Sequence, residues 1–238
     1  MKTMSESKDV ALFGSKSEVP AHLSGLQGGE DHLTAADLAI PRLKLLQPMT
    51  QETDSEAGRH AGMFYASVVD KAYRDLYVIN LRRDPMEYVV FKDMSKGAGG
   101  GWEGTFSSHA DAAAHVANLP GTPSDYQIRE TAKHLLVVLD DTGAIAHPAA
   151  MSMAGSALQA DREWNTQHKL ISTQADGSEL PRYSVVWQLS SKKISGQKGT
   201  YYVPQIQNVG WCQEDLLAEV QKLESSLRVN SQPPANAA

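Results

Sequence analysis

Cysteine is almost absent from this sequence, and long apolar runs are missing altogether. The single cysteine, Cys212, rules out an intramolecular disulfide framework and fits a reducing compartment. No segment approaches the roughly 18 apolar residues that a membrane-spanning helix needs. Residues 1–20 are polar and contain no apolar signal core. We therefore expect a cytoplasmic protein that does not associate with membranes.

The motifs of common enzyme and metal sites are also missing. The glycine-rich segment 95–105 has neither the G-x-x-x-x-G-K-[ST] pattern nor a strand-to-helix context, and no G-x-S-x-G motif occurs. His109 and His115 would lie about 120° from sharing one helix face, a poor geometry for a single metal ion. We expect a protein that is not an enzyme and that uses no cofactor or metal. A metal-dependent nuclease with scattered ligands stays a further alternative.

Basic side chains are fewer than acidic side chains in this sequence. It has 22 Lys and Arg against 28 Asp and Glu, which gives a formal net charge of −6. This balance argues against a surface that coats nucleic acid over its whole area, but phosphate binding needs only a local basic groove. Residues 71–96 hold six basic and four acidic side chains, a small local excess. Charge alone neither supports nor excludes a nucleic-acid ligand.

Composition divides the chain into three parts. Residues 1–30 are rich in Ser, Gly, Lys and Glu and predict a flexible arm, and the small polar tail 229–238 predicts disorder. Residues 31–228 are expected to form one domain. Strands are expected at 63–69, 76–82, 87–92, 134–139 and 145–151. Helices are expected at 34–38, 109–117, 156–171 and 213–227, the last of them amphipathic.

These strands cluster as hairpins and do not alternate strictly with helices. Such an order indicates an α+β fold with a mainly antiparallel sheet or barrel. The segment 95–105 is expected to be a flexible loop because it is rich in glycine. Trp102 at its end either folds back onto the domain or meets a ligand, since an exposed indole leaves a large apolar area in water.

The segment 181–211 predicts a further hairpin and carries the most information about function. Apolar and polar residues alternate in its first half, so Trp187 is expected in the core. Its turn holds three lysines, at 192, 193 and 198. Tyr201 and Tyr202 are adjacent, so one ring must face away from whatever its neighbour packs against. Aromatic faces beside lysines suit single-stranded nucleic acid, because they stack bases while holding phosphates.

Residues 64–92 interleave aromatic and basic side chains in the same way. An OB-type barrel binds single strands across such a face, with stacking rings in a cationic groove. The alternative is ordinary sheet packing with charged edges.

Several phrases of the sequence resemble proteins that tailed bacteriophages encode near their replication genes. They are IPRLKLLQPMTQE at 40–52, AGMFYASVV at 61–69, ALQADREWN at 157–165, YSVVWQLSS at 183–191 and GTYYVPQIQNVGW at 199–211. Such proteins are commonly described as single-stranded DNA-binding proteins. The resemblance covers roughly residues 35–228 and implies an OB-fold core and sequence-independent strand binding in the host cytoplasm. It departs from the family pattern at the C-terminus, where SQPPANAA replaces an acidic tail that recruits replication enzymes.

The sequence thus predicts a single-stranded DNA-binding protein that supports phage DNA replication or recombination, with replication or host proteins as further partners. Its fold would be an OB-like β-barrel or curved sheet with peripheral helices, including an amphipathic C-terminal helix. The alternative is a phage protein that binds a host or replication protein through its helices, without nucleic acid. The predicted DNA-binding residues are Lys44, Tyr65, Lys71, Tyr73, Arg74, Arg82, Arg83, Lys92, Lys96, Trp102, Lys192, Lys193, Lys198, Tyr201 and Tyr202.

Overall fold

The computed structural model describes residues 39–93, 101–196 and 199–229. Several predicted features lie outside the described residues. They are the N-terminal arm, the helix at 34–38, Lys96, Lys198 and residues 230–238 of the predicted tail. Ten strands are described: β1 Arg42–Leu45, β2 Phe64–Ala66, β3 Lys71–Tyr73, β4 Leu76–Arg83, β5 Glu87–Lys92, β6 Trp102–Phe106, β7 Tyr126–Leu139, β8 Ile145–Ala154, β9 Val185–Gly196 and β10 Gly199–Trp211. The three α-helices described are α1 His109–Ala117, α2 Leu158–Ser172 and α3 Glu214–Val229.

The described strands form one sheet in the order β10-β9-β4-β7-β8-β1-β2-β3, while β5 pairs with the first half of β7 and with β6. Neighbours are antiparallel except for β1 and β8, which run parallel. The α+β class with a mainly antiparallel, curved sheet is therefore confirmed. The sheet has ten strands, whereas an OB barrel has five, so the OB-type description stays a prediction.

The sheet curls into a half-barrel, and side chains near its two ends meet. The amide of Gln47, just after β1, donates to the backbone oxygen of Tyr202 at 2.9 Å and accepts from its N–H at 2.8 Å. The hydroxyl of Ser191 donates to the carbonyl of Gly62 at 2.6 Å. Gln47 thereby satisfies backbone groups that β10 would otherwise leave unpaired at the sheet edge.

Each face of the curled sheet is covered by one of the longer helices. On the inner face, Trp164 of α2 packs edge-on to Trp187 of β9 with ring centroids 5.9 Å apart, and both side chains are fully buried. The predicted core position of Trp187 is confirmed. On the outer face, Val220 of α3 is buried against Ile79 of β4 and Val137 of β7. The apolar stripe of the predicted C-terminal helix therefore packs onto the sheet.

The predicted helices follow from local signals that the structure reproduces. Ser108 begins α1, because its hydroxyl accepts a hydrogen bond from the backbone N–H of Asp111 at 3.1 Å. The helices expected at 156–171 and 213–227 match α2 and α3 to within two residues at each end.

The structure differs from the predicted strands in three places, and in two of them pairing across the sheet overrides local composition. The predicted glycine-rich loop contains β6, which pairs with β5 from Trp102 to Phe106. Strand β7 begins at Tyr126, well before the expected 134, because its polar first half pairs with β5. The strand expected at 63–69 ends at Ala66, and the chain turns soon afterwards at Asp70, whose φ is 48°.

Replacing Trp164 with alanine should lower the free energy of unfolding by about 3–5 kcal/mol, the range for deleting a buried aromatic side chain. The helix supplies its own control in Leu170, which is 76% exposed. Leu170→Ala should stay within about 0.5 kcal/mol of the parent protein. Urea unfolding followed by circular dichroism measures both. Equal effects in the two variants would contradict the packing of α2 described above.

Candidate nucleic-acid interface

The predicted site residues on β1 and β2 have partners within the protein. Lys44 forms an ion pair with Glu52. Tyr65 is buried, its hydroxyl donates to Oδ1 of Asp70 at 2.8 Å, and the guanidinium of Arg59 lies 5.4 Å from the ring centroid. The ring of Tyr65 therefore offers no open face for a base.

Two further predicted residues form a local pair at the β3 edge. Nζ of Lys71 lies 5.0 Å from the centroid of the Tyr73 ring, and the Tyr73 hydroxyl is 3.1 Å from Nε2 of His147. Tyr73 is half-buried, and Arg74 after it is exposed. This edge lies at the opposite end of the strand order from β9 and β10.

The arginines at the end of β4 also have acidic partners. Nε of Arg82 lies 3.1 Å from Oδ1 of Asp84. Arg83 donates two hydrogen bonds to Asp161 of α2, from Nε to Oδ1 at 2.9 Å and from Nη2 to Oδ2 at 3.1 Å. A guanidinium held by both carboxylate oxygens is a structural cation and is not available to a phosphate. Sequence reasoning had assigned Arg83 to DNA, because its partner is far away in the chain.

Lys92 and Trp102 lie together on the β5–β6 hairpin. Lys92 is half-buried at the end of β5, and Trp102 is 65% exposed at the start of β6. The indole N–H of Trp102 donates to the hydroxyl of Thr105 at 3.2 Å. Trp102 thus remains on the surface, separated in the strand order from β9 by β4, β7 and β5.

Asp161 and Arg83 belong to a buried polar cluster between α2 and the sheet. His134 of β7 is buried, and its Nε2 lies 2.9 Å from Oδ1 of Asp161. The side-chain amide of Asn80 lies 3.0 Å from Nδ1 of His134. Trp164 stacks on the His134 ring with centroids 4.7 Å apart. This cluster fixes α2 onto the sheet and is closed to a ligand.

The β9–β10 ribbon, residues 185–196 and 199–211, has a different charge from the rest of the chain. Between Glu179 and Glu214 the sequence contains no Asp or Glu, and its basic residues are Arg182, Lys192 and Lys193 together with the lysine at 198. A chain with a net charge of −6 thus contains one long segment without carboxylates. Such a segment repels phosphates less than the rest of the surface.

One face of the ribbon continues onto β4. Tyr77 pairs with Gln188, which pairs in turn with Gln207, so these three side chains form one row across the strands. Two and three rows further along β9 lie Lys192 and Ile194, on the same face because side chains alternate. The partner of Ile194 is Tyr201. The distance from the first row to the last is about 20 Å at 3.3–3.4 Å per residue.

The adjacent tyrosines of β10, Tyr201 and Tyr202, lie on opposite faces of the ribbon. Tyr202 lies on the inner face, and its ring packs so closely on Gly62 that a Cβ added there would be 2.5 Å from Cε1 of the ring. Gly62 has a φ of 90°, which favours glycine as well. Tyr201 is 38% exposed. The prediction that one ring faces outward is confirmed, and Tyr201 is that residue. Lys193, the partner of Tyr202, is exposed on the other face from Lys192.

A groove of about 350 Å³ separates the ribbon from the first turns of α2. Lys192, Tyr201 and Gln205 line it on the ribbon side, and Gln159 and Glu163 line it on the helix side. The Gln159 amide donates to Oε1 of Glu163 at 2.9 Å. This groove brings Lys192 and Tyr201, two of the predicted site residues, to one concave surface.

The model of the Pam3 phage gp34-like protein family matches residues 13–231. The chain belongs to this family. The predicted phage kinship is thereby confirmed, and the family description names no ligand. No curated protein and no solved structure matches the chain.

In this family member, the groove and the face beside it include residues that sequence reasoning did not assign to a site. Tyr77 is 44% exposed, and alternation with the buried Leu76 and Val78 was the signal that could have placed it outward. Gln159 and Glu163 gave no comparable signal, because only the tertiary structure brings α2 beside the ribbon.

Three further properties of the described residues concern what a metal site, a membrane span or a reactive cysteine requires. Across residues 39–93, 101–196 and 199–229, no group of three or more His, Cys, Asp or Glu side chains is placed to hold a metal ion. Within the same ranges, no helix is long and apolar enough to cross a bilayer. Burial raises the pKa of the Cys212 thiol, which disfavours the reactive thiolate.

The buried cluster should make stability depend on pH. Burial lowers the pKa of His134, the charges of Arg182 and Arg83 act in the same direction, and Asp161 only partly opposes them. Burial also lowers the pKa of His168. The unfolded state therefore binds more protons than the native state once the pH falls below about 6.5, the ordinary value for histidine.

We expect the free energy of unfolding to fall from pH 7 to pH 5, by at most about 1.4 kcal/mol per pH unit for each histidine. His134→Gln should make this slope shallower without abolishing it, since His168 still contributes with the same sign. Urea unfolding at half-unit pH steps measures it. A slope that His134→Gln leaves unchanged would show that His134 is not the buried neutral group described here.

Proposed function

We propose that the protein binds single-stranded DNA along the β9–β10 ribbon, without requiring a defined sequence, and supports phage DNA replication or recombination. The observation that carries the proposal is the ribbon itself. It lacks carboxylates, and one of its faces combines the exposed ring of Tyr201, Lys192 and polar amides, with the exposed ring of Tyr77 of β4 in the adjoining row. Bases can stack on such rings while the lysine holds a phosphate.

Each part of this face supplies an interaction that every nucleotide can accept. The exposed rings of Tyr77 and Tyr201 offer stacking worth about 1–3 kcal/mol per base. Lys192 lies between them along the face and supplies positive charge. Gln188 and Ser190 add neutral hydrogen-bonding groups on the same face. None of these contacts depends on the order of the bases.

The proposed path uses fewer residues than the set of DNA-binding residues predicted from the sequence. Lys44, Arg82 and Arg83 are engaged with acidic side chains, and Tyr65 is buried. Trp102 lies on a separate hairpin. The proposal therefore rests on the β9–β10 ribbon and on the row that contains Tyr77. The OB-like character that the resemblance implies for the curled sheet supports it as well.

The alternative, a partner protein bound through the helices, draws less support. Val220 of α3 is fully buried, and Leu216, Leu223 and Leu227 pack around the same cluster. The amphipathic stripe that suggested a docking helix is already used within the fold. We further propose that the protein is a binder and not a nuclease, so labelled strands should stay intact in Mg²⁺ or Mn²⁺.

Fluorescence anisotropy with labelled homopolymer strands tests the strand-binding proposal. Affinity should fall as salt rises, with a log–log slope of about −0.7 per phosphate neutralised. Tyr201→Ala and Tyr77→Ala should each weaken binding roughly 5- to 150-fold, the equivalent of one lost stack. Lys192→Gln should weaken binding and make the salt slope shallower by about 0.7.

Two exposed residues away from the ribbon serve as matched controls. Arg129 lies on β7 where it pairs with β5, and Trp102 lies on β6. Arg129→Gln and Trp102→Ala should leave affinity within about two-fold of the parent, a change below 0.5 kcal/mol. Absence of binding, or binding insensitive to salt, would remove the proposal. Loss of affinity in the controls but not in the ribbon variants would place the interface elsewhere.

A further inference from the structure

The groove beside the ribbon has the size of a small-ligand site. Its volume of about 350 Å³ lies at the lower end of the range of roughly 300–1,000 Å³ for ligand pockets. A groove of this size suits one base and not a run of nucleotides. Its walls come from two elements, α2 and the ribbon, so that a base could enter between them.

The ribbon wall contains what is needed to hold a nucleotide without reading its identity. The Tyr201 ring offers a face for stacking, and Ile206 adds apolar surface. Lys192 lines the same groove and can hold a phosphate of the bound strand. These groups alone would accept any base.

The helix wall differs because it carries a carboxylate. Glu163 lines the groove, and Gln159 one turn earlier donates to its Oε1 at 2.9 Å, which orients the carboxylate. A carboxylate repels phosphates, so its presence beside a strand-binding face calls for a different partner. It accepts hydrogen bonds from amino groups on base edges, as in pairing of Glu or Asp with N4 of cytosine.

Thymine is the base that such a wall disfavours. Its only ring donor, N3–H, lies between two carbonyl oxygens. These oxygens are acceptors, and a carboxylate repels them. Cytosine, adenine and guanine each present an exocyclic amino group. The carboxylate of Glu163 therefore distinguishes amino-bearing bases from thymine.

We propose that the groove takes up one base of the bound strand, and that Glu163 favours bases with an exocyclic amino group over thymine. This inference rests on the proposed strand binding and adds a base preference to it. Tyr201 stacks on the inserted base, and Lys192 holds an adjoining phosphate. The protein thus needs no defined sequence, yet it disfavours strands made of thymine alone.

Competition between equal-length dC and dT strands tests the preference. The parent protein should bind dC at least about five-fold more tightly, since one good contact to a base edge is worth about 1–3 kcal/mol. A dT strand with a single central dC should recover most of this gain, because the groove takes one base. Glu163→Gln should bring the two affinities together, because a neutral amide accepts from cytosine N4 and donates to thymine O4.

Glu219→Gln is the matched control, an exposed glutamate on α3 outside the groove, and it should retain the dC preference. Equal binding of dC and dT by the parent protein would overturn the inference while leaving strand binding intact. A preference that survives Glu163→Gln would overturn it as well. Failure to bind either strand would remove the proposed function, and the groove assignment with it.

Discussion

The position of α2 depends on one buried carboxylate. Asp161 is 1% exposed, and it accepts two hydrogen bonds from Arg83 while it lies 2.9 Å from His134. An unpaired charge at this depth would be strongly destabilising, so Asp161 admits few orientations of the helix. Residues two positions away on either side point to the opposite side of a helix. The Arg83–Asp161 ion pair and the His134 contact therefore present Gln159 and Glu163 to the groove.

The two faces of the β9–β10 ribbon lie in different environments. On its inner face, Trp187 and Leu189 are buried, and Tyr202 packs on Gly62 where the half-barrel closes. The residues that alternate with these include Lys192 and Tyr201, which line the groove beside α2, and Tyr201 is 38% exposed there. Closure of the half-barrel and exposure of the proposed ligand face are thus consequences of a single alternating pattern.

Much of the local structure could be predicted from the sequence, whereas most of the site could not. Ser108 as a helix cap and Trp187 as a core residue depend on neighbours a few positions away. Arg83 and Asp161 are separated by 78 positions, and no local pattern relates them. The sequence therefore predicted Arg83 as a residue available to bind DNA phosphates. The strand β6 was missed for a similar reason, since its glycine-rich composition becomes a strand only by pairing with β5.

The sequence by itself determined the kinds of element, the apolar alternation of β9, the carboxylate-free stretch of the ribbon and the outward turn of one of two adjacent tyrosines. These properties are local, because alternation and helix periodicity are set by backbone geometry within a few residues. Only the tertiary structure decided which cations are neutralised in the interior, which rings are covered, and that Glu163 of α2 lies across a groove from Tyr201. Those outcomes depend on contacts between distant segments, and the free energy of burial and ion pairing is realised only when the sheet curls and α2 docks.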